Sequence, residues 1–585
     1  MPVVGRVHKG RYHDSVALMQ AQQILRQMPG VEEAGVVMGT PANLALLRDA
    51  GLDAPELAEA GPDDLVAVVR AATEADALRA LERLEEALST RSRGEGPAYR
   101  PRSVRTAVRA LPGANVALVS APGRFAAAVA EEALREGLHV FLFSDNVPVE
   151  EEVRLKQLAQ QRGLLVMGPD CGTAMVAGVG LGFANRVRRG GVGIVAASGT
   201  GLQEVACLVH RWGAGVSHAL GTGGRDLSDA VGGASFTAAL AALSADPDTR
   251  VVVVVSKPPS PRVAERILAL ARRCGKPVVV NFLGARAARS REGIYFASTL
   301  EEAARLATTL AGARPGEPAA EEICAPPRWA VGQRWVRGLF VGGTLCAEAQ
   351  LVLRQRLGRV WSNAPLTPDA KLAGVTSREH TVLDLGSDEF TVGRLHPMLD
   401  PSPRRHRLIH EARDAEVAVV LADVVLGYGA HPDPAAELAG AWEEAVDVAR
   451  AAGRELVCVA SVCGTELDPQ PYAQQVERLR QAGIVVASTN AAAARLAAGL
   501  CAGAAPPQEA GPLPSVDVPD AEEPLPATSD ALRSLLRGPV RAVNVGLETF
   551  AQSLVAQGVP VVSVDWRPPA EGDAGLLALL SRLGG

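Results

Sequence analysis

Apolar residues recur along the chain with two periods. Short continuous aliphatic runs at Val116–Ser120, His139–Phe143, Leu164–Gly168, Val251–Val255, Pro277–Val280, Val417–Leu421 and Leu456–Ala460 predict strands buried on both faces. Between them, patterns close to the 3.6-residue period at Phe125–Glu136 and Glu150–Gln161 predict helices. Strands that alternate with helices imply right-handed crossovers and parallel sheets. Residues 1–90 mix β-like runs (Val31–Met38, Leu65–Val69) with helical ones (Asp14–Gln27, Ala75–Leu88). In the first of those helices Val16, Met19 and Leu25 share a face.

Three stretches break the pattern: Arg91–Pro101, Ala311–Pro327 and Ala502–Pro526, each rich in Pro, Gly or charge. Such segments bury too little surface to offset their ordering entropy and read as linkers. Within the pieces they separate, Gly293–Ala307 (GIYFASTLEEAARLA) matches Gly483–Ala497 (GIVVASTNAAAARLA), which reads as a duplication. Gly193–Glu204 and Gly338–Glu348 support it, since each is a strand running into a Gly-Thr turn and then a helix. The expected fold class is therefore multi-domain α/β. A small α/β domain occupies 1–90 and a truncated Rossmann-like, CoA-binding-type domain 102–189. Two duplicated flavodoxin-like, ligase-CoA-type parallel-sheet domains occupy 190–311 and 328–501. Residues 527–585 carry only a βαβ fragment around Asn544–Glu548 and Val561–Trp566, expected to dock on another domain or chain.

Composition narrows the function. The chain has 585 residues, 48% hydrophobic, enough for several cores, and its longest purely aliphatic run is far short of a membrane span. The formal charge of −6 lacks the basic excess that binding a phosphate backbone requires, so no nucleic-acid partner is expected. The opening residues carry no export signal, and a cytoplasmic protein is expected. Cysteines without a CxxC pair and histidines without an HExxH group argue against structural zinc and a disulfide scaffold.

The candidate chemistry lies in the turns. Ser198-Gly199-Thr200-Gly201 stands between a buried strand and a helix, where free N–H groups and the helix dipole favour an anion. The competing reading is a tight turn capped by Ser198. Gly221-Thr222-Gly223-Gly224-Arg225-Asp226 follows a short strand; its glycines permit close backbone approach and Arg225 suits a carboxylate or phosphate. Gly168-Pro169-Asp170-Cys171 turns sharply at a strand end, and Cys171 reads as a small core residue rather than a nucleophile. The second copy offers Gly342-Gly343-Thr344, and His396 reads as a loop histidine sooner than as a general acid. Ser198, Thr200 and Arg225 are the catalytic candidates. Gly199, Gly201, Gly221, Gly223, Gly224, Asp226, Gly168, Pro169, Gly343 and Thr344 are the substrate- or phosphate-binding candidates.

These motifs also carry a resemblance. Ser120-Ala121-Pro122, Val147-Pro148, Gly168-Pro169-Asp170-Cys171, Ser198-Gly199-Thr200 and Gly221-Thr222-Gly223-Gly224 occur in an order similar to that of the succinyl-CoA synthetase alpha subunit. Over nearly the whole length, including Asp14-Ser15-Val16, Ser144–Pro148 and the Asn544–Trp566 tail, the chain resembles the FdrA family, usually labelled acyl-CoA synthetases. The synthetases carry a phosphoryl group on a histidine, and the matching stretch Asn281–Gly293 has none; Ser256-Lys257 stands where the glutamate that orients it is expected. A phosphohistidine relay is therefore not expected. The family's first phosphate loop should precede Val116 by a complete βαβ unit, and only Pro101–Ala114 lies there, which counts against CoA. The resemblance implies a subunit of a phosphate-dependent acyl or carbamoyl transferase, turning oxalurate and phosphate into oxamate and carbamoyl phosphate. An ATP-dependent acyl-CoA ligase and a non-catalytic scaffold are the alternatives. CoA and phosphate are the candidate small-molecule ligands. Partner subunits in a homo- or hetero-oligomer are implied, and the C-terminal tail resembles the opening of a second family that accompanies such chains.

Overall fold

The computed structural model describes residues 1–11, 15–40, 43–44, 47–48, 51–61, 64–89, 100–286, 290, 293–316, 328–391, 396–502, 510–519 and 523–567. Most of the first two linker stretches (91–99, 317–327) and part of the third (503–509, 520–522) lie outside the described residues. The contacts separate two compact units: residues 1–102 with 387–396 and 565–585, and residues 103–386 with 397–564.

In the first unit β1 (Val3–His8), α1 (Ser15–Arg26), β2 (Val31–Met38), β3 (Leu65–Ala71) and α2 (Glu74–Glu82) follow one another. The strands pair antiparallel in the order β1-β3-β2. Alternation puts Leu65, Ala67 and Val69 of the central strand against Leu18 and Leu25 of α1, while Val66 and Val68 face Leu47, Leu52 and Leu57. Leu25 is thus buried as its helical position requires; the side chains of Val16 and Met19 lie outside the described ones.

In the second unit a short helix over Val104–Ala110 precedes β4 (Val116–Val119), α3 (Gly123–Arg135), β5 (His139–Leu142), α4 (Val149–Gln161) and β6 (Val166–Met167). The first copy of the duplication holds β7 (Thr173–Val176), β8 (Val179–Gly182), β9 (Arg189–Ala196), α5 (Gly199–Arg211), β10 (Val216–Gly221), α6 (Ala234–Ala245), β11 (Val251–Ser256), β12 (Val278–Phe282), β13 (Ile294–Phe296) and α7 (Leu300–Leu310). The second holds β14 (Trp335–Phe340), α8 (Gly343–Leu357), β15 (Thr381–Asp384), β16 (Val417–Val425), β17 (Val457–Cys463), β18 (Val485–Ala487) and α9 (Asn490–Cys501). The tail contributes β19 (Ala542–Val545), α10 (Glu548–Ala556) and β20 (Val561–Val564).

The two copies share one strand order. The parallel core of the first runs β10-β9-β11-β12-β13 and the second runs β15-β14-β16-β17-β18, so the duplication seen in the motifs extends to the sheets. In the first copy an antiparallel hairpin, β7–β8, extends the β10 edge; these residues belong to this sheet and not to the domain preceding it. Val251–Val255 are essentially unexposed, as expected of a β-branched run covered by helices on both faces.

The tail meets one expectation and corrects another. The βαβ fragment docks on another domain, as expected: β19 pairs in parallel with β4, Ala542 to Val116 through Val545 to Val119, giving the order β20-β19-β4-β5-β6. The CoA-binding-type domain is therefore not truncated, because the unit absent before Val116 arrives from the other end of the chain. Its seat is specific. Gln557 exchanges hydrogen bonds with the N–H (2.7 Å) and carbonyl (3.0 Å) of Gly180, and Phe550 stacks edge-on against Phe143 and Phe183. No helix among the described residues is long and apolar enough to cross a membrane.

Candidate functional site

Three of the sequence-selected turns meet at the carboxyl ends of the first copy's strands, where parallel sheets collect ligands. The Gly168–Gly172 loop and the Gly221–Gly224 loop pack backbone against backbone. A Cβ at Gly221 would strike the Thr173 carbonyl oxygen, and one at Gly223 the Pro169 carbonyl oxygen. Gly223 also has φ +87°, so this approach excludes a side chain on two counts. Thr222, wholly buried, donates its N–H to the Ala196 carbonyl at 2.8 Å and ties the loop to β9.

The third turn opens α5. Ser198 is extended and its Oγ accepts the Gly201 N–H at 3.0 Å, the expected N-cap. The N–H groups of Gly199 and Thr200 meet no acceptor among the described residues. A Cβ at Gly199 would make only ordinary contacts, with Thr173 Oγ1 at 3.6 Å and the Gly172 Cα at 3.7 Å, so the backbone at the helix start is not clasped as it is at Gly221 and Gly223. Open N–H groups at the positive end of a helix dipole are a site for an anion.

The second copy's helix start faces the first. Ser198 Oγ lies 2.6 Å from Thr344 Oγ1, and the Thr344 N–H donates to Thr200 Oγ1 at 3.2 Å. Ser198, Thr200 and Thr344 are thus brought together across the duplication, Thr200 and Thr344 being nearly buried. The second start differs from the first in its electrostatics. Asp423, unexposed at the end of β16, accepts the N–H groups of Val341 and Gly342, both at 2.8 Å. A Cβ at Gly343 would meet Asp384 Oδ2 at 2.6 Å. With two carboxylates beside it, this turn repels a further anion, and the phosphate-binding part expected of Gly343 is corrected accordingly. Burial pushes Asp423 up to about 6, opposed by Arg404 at 3.6 Å and the two N–H donors.

Arg225 and Asp226 have protein partners. Asp226, with no exposure, accepts Lys156 Nζ at 2.7 Å and the Phe236 N–H at 2.8 Å, so it anchors α4 to the start of α6. The expectation that Asp226 touches substrate is therefore corrected: its oxygens are spent inside the fold. Arg225 Nη2 reaches the Val147 carbonyl at 2.7 Å and Glu152 Oε2 at 3.1 Å, while 40% of the side chain remains exposed. Burial pushes the Cys171 thiol up to about 12 and pulls His396 down to about 4, so neither offers thiolate or imidazolium chemistry near neutrality.

Sequence reasoning passed over Asp423, Glu204 and Glu348. The signal for Asp423 was present: it is the lone charge inside the apolar run Val417–Val425, and a charge in a doubly covered strand has a job. Glu204 and Glu348 are buried at matching positions of α5 and α8. Opposite them in each copy stands the start of the other copy's last helix.

Comparison with known proteins fits this geometry. Residues 339–500 match the CoA-ligase family model and residues 1–102 the model for the AllF heavy metal-associated domain. Residues 1–102 contain no cysteine, and among the described residues no group of three or more His, Cys, Asp or Glu side chains could hold a metal, so the described donors do not fit a soft metal there. The malate–CoA ligase alpha subunit of Methylorubrum extorquens is 29% identical over 220 residues, 36% of this chain and 73% of that one. The ADP-forming succinate–CoA ligase alpha subunit of Staphylococcus epidermidis is 31% identical over 182 residues, 30% of this chain and 58% of that one. YahF of Escherichia coli K12 is 43% identical over 489 residues, covering 82% of this chain and 95% of YahF. Matched to YahF along nearly all of that protein, and to the alpha subunits over about a third of its own length, the chain belongs to the FdrA family of the succinyl-CoA synthetase alpha-subunit superfamily.

Proposed function

We propose that the chain is a subunit of a phosphate-dependent acyl or carbamoyl transferase in which the α5 start holds inorganic phosphate. The carrying observation is the pair of unengaged N–H groups at Gly199 and Thr200, set beside the Thr344 hydroxyl in a lobe whose Asn281–Gly293 segment has no histidine. The AllF-type N-terminal domain agrees with a place in allantoin breakdown.

In the proposed reaction a phosphate oxygen attacks the carbamoyl carbon of oxalurate, forming the C–O bond of carbamoyl phosphate. The bond from that carbon to the oxamate nitrogen breaks, and the phosphate proton passes to the leaving nitrogen. No protein nucleophile is needed. The helix start holds the phosphate charges, and Arg225, pinned through Nη2, presents its remaining donors to the substrate carboxylate.

The ATP-dependent acyl-CoA ligase reading gains one observation, the completed sheet β20-β19-β4-β5-β6, whose order reverses between β19 and β4 where nucleotides bind in such folds. The turn itself suits a diphosphate poorly. Ser120 Oγ already takes the Leu547 N–H at 2.8 Å, and Glu548 places a negative charge in the first turn of α10. The residues present therefore do not fit a CoA diphosphate.

The test is an assay of the purified chain, with and without its neighbouring gene products, against oxalurate plus phosphate and against succinate plus ATP and CoA. Ser198→Asp puts a negative charge at the helix start and is expected to reduce phosphate-dependent turnover on the order of 10²-fold or more. Near-normal turnover in that variant rejects the assignment. A phosphoprotein formed from labelled ATP supports the ligase, and no binding of phosphate, carbamoyl phosphate or CoA by chain or complex supports a scaffold.

A further inference from the structure

The helices that open the two copies each carry a buried glutamate in the same place, five residues past Gly199 and Gly343, and the two work crosswise. Glu348 on α8 accepts the N–H groups of Leu300 (2.6 Å) and Glu301 (3.4 Å) with one oxygen, at the start of α7 in the first copy. Glu204 on α5 accepts the Asn490 N–H at 3.3 Å, at the start of α9 in the second copy. Leu300 and Asn490 occupy the same position of the repeated GI-x-x-A-S-T segment. Asn490 links the pair, because its side-chain amide donates to the second oxygen of Glu348 at 2.8 Å and to the Leu345 carbonyl at 3.0 Å. Each opening helix thus caps the closing helix of the other copy.

The charges around this crossing do not balance it. Glu348 is unexposed, Glu204 is 3% exposed, and neither has a lysine or arginine within ion-pair distance among the described residues. Arg211 acts on Glu204 from nearby, but its guanidinium is bonded to the Tyr472 hydroxyl and the Ser488 carbonyl; the Cys463 thiol is hydrogen-bonded to Glu204 and also to Cys207. Glu301, the other carboxylate facing the pair, is taken by Arg495 at 2.6 Å and lies 3.8 Å from Arg305. Two buried carboxylates that repel each other without a direct counter-ion do not both stay ionised.

We propose that Glu204 and Glu348 are positioning residues that share one proton, and that this shared proton holds α5 and α8 in register so that Ser198 and Thr200 face Thr344. Removing the proton leaves two negative charges inside the interface and drives the helix starts apart. The proton sharing stands on the crossed caps together with the burial of both carboxyls; its effect on anion binding rests on the reading of the α5 start given above.

The direction with pH follows. Burial first, and the neighbouring Glu204 second, push Glu348 up to about 7, and burial pushes Glu204 up as well. The folded value lies above the unfolded one, so the native chain holds the extra proton; the stabilisation is full below about pH 4.5 and is lost as pH rises through about 7.

The experiment uses the full chain, with Glu348→Gln and, as a second variant, Glu204→Gln. Urea unfolding midpoints are measured from pH 5 to 8.5, and sulfate binding, whose ligand charge is constant over this range, is measured by calorimetry at the same pH values. The wild-type midpoint should fall through pH 7 and the slope should flatten in either variant. Sulfate affinity should fall in step in the wild type, by at most about tenfold per pH unit, the limit for one linked proton, and should be pH-independent in Glu348→Gln. An unchanged slope in both folded variants overturns proton sharing. A flattened slope with sulfate binding that never followed pH overturns the positioning part. If the slope flattens as expected and sulfate binds at no pH, the α5 anion site fails and the shared proton stands.

Discussion

The two copies of the ligase-type lobe have the same strand order and the same Gly-Thr helix start, and they differ at one strand position with opposite results. By register, Val195 pairs with Val254 and Leu339 with Ala422, which puts Val255 and Asp423 at matching places one residue further along. Val255 leaves the first helix start to whatever enters; its Cγ1 merely packs 3.0 Å from where a Cβ on Gly201 would be. Asp423 takes the strand-end N–H groups for itself. A duplicated backbone device therefore becomes an open cradle in one lobe and an internally neutralised prop in the other through the acids beside the second start, Asp423 first and Asp384 with it.

Placing the second lobe's acid in the first is the severest test. Val255→Asp should abolish sulfate binding at the α5 start and, by burying a charge with no arginine to match Arg404, lower stability by roughly 3–5 kcal/mol. A folded variant that still binds sulfate breaks the comparison. The reverse change, Asp423→Val, strands the Val341 and Gly342 N–H groups at about 1–3 kcal/mol each, read as a lower denaturation midpoint.

Asp423→Asn sharpens the same point through pH. Its folded value of about 6 lies above the ordinary 3.8, so the native state carries an extra proton between them; that contribution is full below about pH 4 and disappears as pH rises through 6. The variant should flatten unfolding free energy across that window and leave the higher-pH slope in place. The smallest effect belongs to a contact unrelated to either lobe's anion chemistry. Gln557→Ala removes two hydrogen bonds to Gly180 and should cost about 1–2 kcal/mol without changing sulfate affinity.

The strands and the turns were legible in the sequence because their signals are local: Val251–Val255 can be little other than a doubly covered strand, and Ser198 before Gly199 caps whatever helix follows. The partners of those turns were not, since nothing in Gly221–Asp226 reveals that Lys156, seventy residues earlier, will claim Asp226. The meeting of Ser198 with Thr344 was equally hidden, although the repeat that produces it was visible. The place of β19 escaped for a topological reason: a strand inserted beside β4 from the far end of the chain leaves no trace in periodicity.

That late arrival shapes how the molecule is made. A ribosome releases β4, β5 and β6 some four hundred residues before β19, so throughout most of synthesis the edge of β4 presents unpaired N–H and C=O groups. Nascent chains that stall or lose their last segment keep this edge bare, and it is there that sticking to a neighbouring polypeptide should begin.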